Sequence, residues 1–199
     1  MRGVVYVAVG SNALKEACES RDTLLQHTNL PYEIVKTVPN QPPLTSADQL
    51  AHWLKVNLDL ITPFKPTLML DADTRVKGDL SVGFDILAEE WDLVMVPSKP
   101  PYEGASLWNL SSEERQITLD ELGLWTHVML NTGLLYFNNT TRVKNLFKAW
   151  RKEWLRFKDR DQGAFLRALR RNPVSLWLLG YPFNSAGGEV VDHLFGRAQ

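Results

Sequence analysis

The chain has 199 residues, 44% hydrophobic and 23% charged, with a formal net charge of −1 and one cysteine, Cys18. That length suits a single domain over residues 1–199 with a real core, and the charge balance gives no global reason to expect nucleic acid as a partner. A lone cysteine excludes a disulfide framework and a cysteine-based zinc site, and no apolar run approaches the roughly 18 residues of a membrane span.

The N-terminal run "VVYVAVG" (4–10) reads as a strand, too short for a signal peptide, and a cytoplasmic location is the expectation. A helix over roughly 12–27 follows, with Cys18 on its apolar side beside Leu14, Ala17 and Leu25, as a buried, inert thiol. "YEIVKTV" (32–38) is the next strand. Ser46 and Gln49 stand in capping-box spacing, ahead of a helical stripe of Ala47, Leu50, Leu54, Leu58 and Ile61. Further strand-like runs are "TLMLDAD" (67–73), "DLVMVPS" (92–98), "HVMLNTGLLYF" (127–137), "SLWLLGYPF" (175–183) and "EVVDHLF" (189–195). Val143, Leu146, Phe147, Trp150, Trp154 and Phe157 trace another helix, and residues 97–114 form the longest irregular stretch. Alternating strand and helix predicts an α/β layer fold with a mostly parallel central sheet and helices on both faces. In such sheets ligands gather beyond the carboxyl ends of the strands.

At that edge stand Asp71 and Asp73. Strand alternation sends residues i and i+2 to the same side. Two carboxylates about 5 Å apart repel by roughly 3 kcal/mol at an effective dielectric near 20. A divalent cation would offset that cost, whereas capping of the turn before Gly78 explains two acids poorly. The second such pair, Asp159 and Asp161, opens a predicted helix, where the helix dipole alone accounts for acids. A haloacid-dehalogenase-type phosphatase also ends a strand in D-x-D, but it needs a hydroxyl residue where Arg75 stands and a later acidic pair. Glycosyl transfer from a nucleotide sugar fits better: there two acids hold a metal against a diphosphate.

"LMLDADTRVKGDL", "LNTGLLYFN", "DQGAFL" and "DHLFGR", in that order, resemble the motifs of glycosyltransferase family 8, the retaining enzymes that include glycogenin. The resemblance spans nearly the whole chain and implies the GT-A (Rossmann-like) fold of nucleotide-diphospho-sugar transferases. It assigns Asp71, Asp73 and His193 to a Mn²⁺ or Mg²⁺ ion, and an oxygen site with one imidazole favours Mn²⁺. It places Gln162, Asp161 and Asn131 at the transferred sugar, with Gln162 facing the anomeric centre. The donor, a nucleotide sugar and by resemblance a UDP-hexose, would be held by Ala8, Val9, Gly10, Ser11, Asn12, Lys55, Ala72, Thr132, Gly133, Gly196 and Arg197. Two positions depart from the family: Ala13 replaces a base-stacking tyrosine, and "GRAQ" stands where relatives have Lys-Pro-Trp, leaving Arg197 as the substitute for that lysine.

The stretch from Arg142 to Arg171 is dense in basic residues around Trp150, Trp154 and Phe157. Its plain reading is an amphipathic helix pair with a solvated basic face; its sharper reading is peripheral contact with an anionic membrane. Tyr102, Trp108 and Trp125 are expected to shape the acceptor side. The expected function is metal-dependent, retaining hexosyl transfer to an unidentified acceptor. The alternative is a non-catalytic sugar-nucleotide-binding protein on the same fold.

Overall fold

The computed structural model describes residues 1–39, 41–98, 107–123 and 128–198. Tyr102 and Trp125 therefore lie outside the described residues. Eight strands are described: β1 (Gly3–Val7), β2 (Tyr32–Val35), β3 (Thr67–Asp71), β4 (Thr74–Val76), β5 (Leu93–Pro97), β6 (Leu130–Phe137), β7 (Leu176–Leu178) and β8 (Val191–His193). Between them run α1 (Ser11–His27), α2 (Ala47–Lys55), α3 (Leu58–Ile61), α4 (Ser81–Ala88), α5 (Ser112–Leu122), α6 (Thr141–Phe157) and α7 (Asp161–Arg171).

Six strands form the central sheet in the order β2-β1-β3-β6-β5-β7. β1 runs parallel to β2 and β3, and β5 parallel to β7, while β6 is antiparallel to both neighbours. The mostly parallel expectation holds, with β6 the strand that reverses. Period-2 alternation divides the sheet between two cores. Val5, Val7, Met69, Met95, Leu135 and Phe137 pack on one face with Trp53 of α2, Trp150 and Trp154 of α6 and Phe165 of α7. Val4, Tyr6, Leu68, Leu70, Val94 and Tyr136 pack on the other with Ala17 and Leu24 of α1 and Phe84 of α4. Helices thus cover both faces, which is why the strand sequences are apolar at nearly every position.

Several local expectations are corrected. The stripe from Ala47 to Ile61 is two helices, because the Asn57 amide donates to the Trp53 carbonyl at 2.7 Å and takes the acceptor a continuing helix would use. The stretch read as irregular to residue 114 already enters α5 at Ser112, where the Ser111 hydroxyl accepts from the Glu114 N–H at 3.2 Å. Leu25 is 48% exposed and Cys18 only half-buried, so the apolar face of α1 is narrower than the pattern implied.

The basic stretch is α6 and α7, with Trp150 and Trp154 fully buried. Five of its seven arginines are engaged internally: Arg142 with Asp92, Arg151 with Asp59, Arg156 with Glu121 and Glu153, Arg167 with Glu114 and Glu153, and Arg171 with Glu121 and Glu153. Much of the charge read as a solvated face is therefore used to fasten helices. Among the described residues, no helix is long and apolar enough to cross a membrane.

Candidate active site

The site is built where β1 and β3 end together. Their register places Val7 opposite Asp71, and the chain leaves β1 through Gly10, whose φ of +88° suits a residue without Cβ, into the first turn of α1. Beyond β3 the chain turns through Ala72 and Asp73 into β4. β4 pairs antiparallel with β8, in a register that sets Thr74 opposite His193. The Leu194 N–H donates to the Asp73 carbonyl at 2.8 Å, and the Gly196 N–H to Asp73 Oδ2 at 2.9 Å. A short backbone ladder therefore delivers the imidazole to the acids.

His193 Nε2 lies 3.2 Å from Asp73 Oδ1 and 3.8 Å from Asp71 Oδ2. One ligand atom from each of Asp71, Asp73 and His193 can be chosen so that all lie within 4.8 Å of one another. The far nitrogen, His193 Nδ1, is 2.8 Å from Asn184 Oδ1. Donation there would free the Nε2 lone pair for a cation seated between the carboxylates, as a metal-ligating histidine requires. Burial opposes ionisation of Asp73, yet the His193 contact outweighs it and holds the carboxyl below the usual range. The donor set fits a divalent cation, with two carboxylates to carry charge and one imidazole at the tail.

β6 contributes the opposite wall. Its register against β5 shifts between Met95 and Val96, from Leu135 to Asn131, so Thr132, Gly133 and Leu134 occupy a bulge. Bulges of this kind re-aim side chains beside functional sites. Asn131 Oδ1 accepts from the Gly133 N–H at 2.8 Å. A Cβ on Gly133 would stand 2.6 Å from Asp71 Oδ2 and 2.7 Å from His193 Cε1. Gly133→Ala is accordingly expected to push both side chains apart and to weaken any Mn²⁺ binding at the cluster by about 10-fold or more, measured by isothermal titration. Unchanged affinity would show that the glycine is not needed for the cluster.

Lys55, buried at the end of α2, sets its Nζ 2.5 Å from Asp71 Oδ1. Burial would lower its pKa, but Asp71 and then Asp161 raise it well above that of an ordinary lysine. Asp161, at the first turn of α7, is 3% exposed. Burial would raise its pKa; Lys55 and His52 more than reverse this and hold it far below the usual carboxylate range. Gln162 follows, its amide oxygen accepting from Asn109 Nδ2.

All of this opens on a cleft of about 1230 Å³. Of the residues expected at the site, Val9, Gly10, Ser11, Asn12, Lys55, Asp71, Ala72, Asp73, Asn131, Thr132, Asp161, Gln162, His193 and Gly196 line it. Ala8 is buried beneath the floor, and Gly133 sits against Asp71 and His193 instead of on the surface. Arg197 is exposed and does not line the cleft; its carbonyl accepts from Asn12 Nδ2 at 2.6 Å. Trp108, expected on the acceptor side, lines it as well. Sequence reasoning missed His52, Asn109 and Asn184, also in the lining. Asn184 sits in a turn with no local signal, and its relation to His193 emerges only from the fold.

No family model matches this sequence, and no curated protein matches it significantly. Solved structures do. The bifunctional glycosyltransferase WbbM, in its apo form, aligns with a TM-score of 0.65 at 16% identity over 90% of this chain, which spans 39% of that protein. The galactosyltransferase LgtC, in complex with donor and acceptor sugar analogues, aligns with a TM-score of 0.64 at 14% identity, covering 98% of this chain and 87% of that one. Mouse xyloside xylosyltransferase 1, apo form, aligns with a TM-score of 0.61 at 10% identity over 100% and 99% of the two chains. The architecture is the GT-A fold: a mixed, mostly parallel six-stranded sheet with helices on both faces.

Proposed function

We propose that residues 1–199 act as one domain, a metal-dependent glycosyltransferase of the family 8 type that moves a hexose from a nucleotide sugar, a UDP-hexose by resemblance, with retention of configuration. The observation that carries this reading is the convergence of Asp71, Asp73 and His193 beneath a large cleft at the carboxyl ends of β1 and β3. The proteins with the same fold are described as glycosyltransferases, which supports sugar transfer as the chemistry. Asp71, Asp73 and His193 would hold Mn²⁺ or Mg²⁺, which when bound neutralises charge on a departing nucleoside diphosphate.

The protein's own groups supply the rest. Residues 9–12, between β1 and α1, line the floor where base and ribose would lie. Lys55 pairs with Asp71 and, with its own pKa held well above that of an ordinary lysine, adds a fixed positive charge beside the phosphates. Asp161 stays charged at neutral pH and can accept from sugar hydroxyls. The Gln162 amide is a poor nucleophile, and its oxygen is already engaged by Asn109. Front-face substitution within an ion pair is therefore the expected route to retention, with no covalent intermediate on the chain.

The test is release of nucleoside diphosphate from a panel of nucleotide sugars with Mn²⁺, alongside thermal shifts with and without the ion. One or more donors are expected to raise the melting temperature and to be hydrolysed slowly. Absence of any donor effect would overturn the proposal. Binding without release would favour the non-catalytic reading, which draws on the position of Arg197 outside the cleft lining.

A further inference from the structure

α2 presents two cationic side chains to the cleft, three residues apart, and each faces a different acid. Lys55 meets Asp71 of β3. His52 sets its Nδ1 3.3 Å from Asp161 Oδ1 and its Nε2 3.6 Å from Asp48 Oδ2. His52 is 8% exposed. An ionised carboxylate only accepts, so a neutral imidazole between two of them would turn one lone pair against a negative charge. The geometry selects the imidazolium. Neither nitrogen is aligned for a hydrogen bond, so the attraction is that of an ion pair. Asp161 Oδ2 is likewise buried without an aligned hydrogen bond.

We propose that His52 is a positioning residue for the glycosyl transfer proposed above: as an imidazolium it holds Asp161 through Oδ1 and leaves Oδ2 for a hydroxyl of the transferred sugar. The inference rests on that functional reading. Through Lys55 on the same helix, it also ties the metal-binding strand to α7, so the two halves of the site keep register.

The charged groups around His52 are Asp48 and Lys55 on its own helix and Asp161 on α7, with Arg160 just ahead of Asp161. Burial would lower the histidine's pKa; Asp161 and then Asp48 raise it to about 9 from the ordinary 6.5, against opposition from Lys55. A raised pKa stabilises fully below 6.5 and loses its effect as pH rises through 9. The clasp should therefore hold across neutral pH and release on the alkaline side.

Imidazole NMR on the full chain tests the pair directly, with the His52 signal assigned by its loss in His52→Gln. Titration is expected near pH 9 in the native protein and toward or below 6.5 in Asp161→Asn. A second arm follows UDP release from UDP-hexose with Mg²⁺, chosen because it stays soluble in alkali. At pH 7.5, His52→Gln is expected to lose about 10- to 100-fold in kcat with a smaller change in donor KM. The native alkaline limb near pH 9 should vanish in that variant, and His52→Lys should recover part of kcat. Native titration at or below 6.5 would overturn the proposal whether or not any donor is turned over. An unchanged kcat and pH profile in His52→Gln would do the same. Failure of the native chain to turn over any donor would count against the transferase reading, while the NMR arm still decides the His52–Asp161 pair.

Discussion

Asp73→Asn is expected to remove Mn²⁺-dependent release of nucleoside diphosphate, by about 10²- to 10³-fold or more, while the chain remains folded. The substitution is isosteric and keeps an oxygen to accept the Gly196 N–H now bonded to Asp73 Oδ2 at 2.9 Å. What it removes is charge. Asp73 is ionised at neutral pH and buried, 3.2 Å from His193 Nε2, so it contributes half of the cluster's formal carboxylate charge. Without an ion, the loss of like-charge repulsion toward Asp71 offsets the loss of attraction to His193. The metal-free melting temperature should then move by no more than a few degrees. The rise in melting temperature expected of the native chain with Mn²⁺ should be absent from the variant, because an ion that binds the folded state stabilises it by mass action. Retained turnover together with a retained Mn²⁺ shift would sink the assignment of the cluster.

Arg167→Met should be among the most destabilising single changes outside the cleft, at about 3–5 kcal/mol. Arg167 is 1% exposed, and its guanidinium stands 3.0 Å from Glu153 Oε2, 2.9 Å from Glu114 Oε1 and 2.5 Å from the Thr118 hydroxyl. It also lies over the Phe157 ring, 4.8 Å from its centre. α5, α6 and α7 are joined through this one side chain. The contact with Glu114 is close but off hydrogen-bond alignment. Burial accordingly prevails over Arg167 and leaves the Glu114 pKa above the usual range. Removing the cation would strand Glu114 without a partner, while Glu153 keeps Arg156 and Arg171. For a chain of this size the loss corresponds to roughly 6–20 °C in melting temperature. Adding Glu114→Gln to Arg167→Met should recover a part of it. A shift under about 2 °C for the single variant would show that the network is not holding these helices.

What the sequence revealed, and what it hid, follows from how local each signal is. The strands were readable because the sheet is covered on both faces: "TLMLD" and "LNTGLLYF" have few polar residues to confuse with turns. Alternation over residues 67–73 puts Asp71 and Asp73 on one side of a strand, whereas β3 ends at Asp71 and it is the turn through Ala72 and Asp73 that brings the second acid to His193. α4 and α5 were missed for opposite reasons. "SVGFDILA" is mostly apolar and short, whereas α5 buries Glu114 and Thr118 along with Leu119 and Leu122, so no clean apolar stripe announces it. The capping-box spacing of Ser111 and Glu114 was the signal that could have found α5. β4, at three residues, is too short for any period. His52 had no local mark because its meaning depends on Asp161, far along the chain. The arginines of α6 and α7 looked solvent-facing for the same reason: Asp59, Asp92, Glu114 and Glu121 come from other helices and loops.

The pairing of β4 with β8 joins distant parts of the polypeptide, with Gly196 bonded to Asp73 across 123 positions. At about 5–20 residues per second, the acids are made on the order of ten seconds before the imidazole. Throughout that interval a nascent chain carries the carboxylates without the ladder that steadies them, and any ion it meets can be held only loosely. Tight capture of a cation at this cluster would then report that translation has passed β8 and that both small-sheet partners have zipped together.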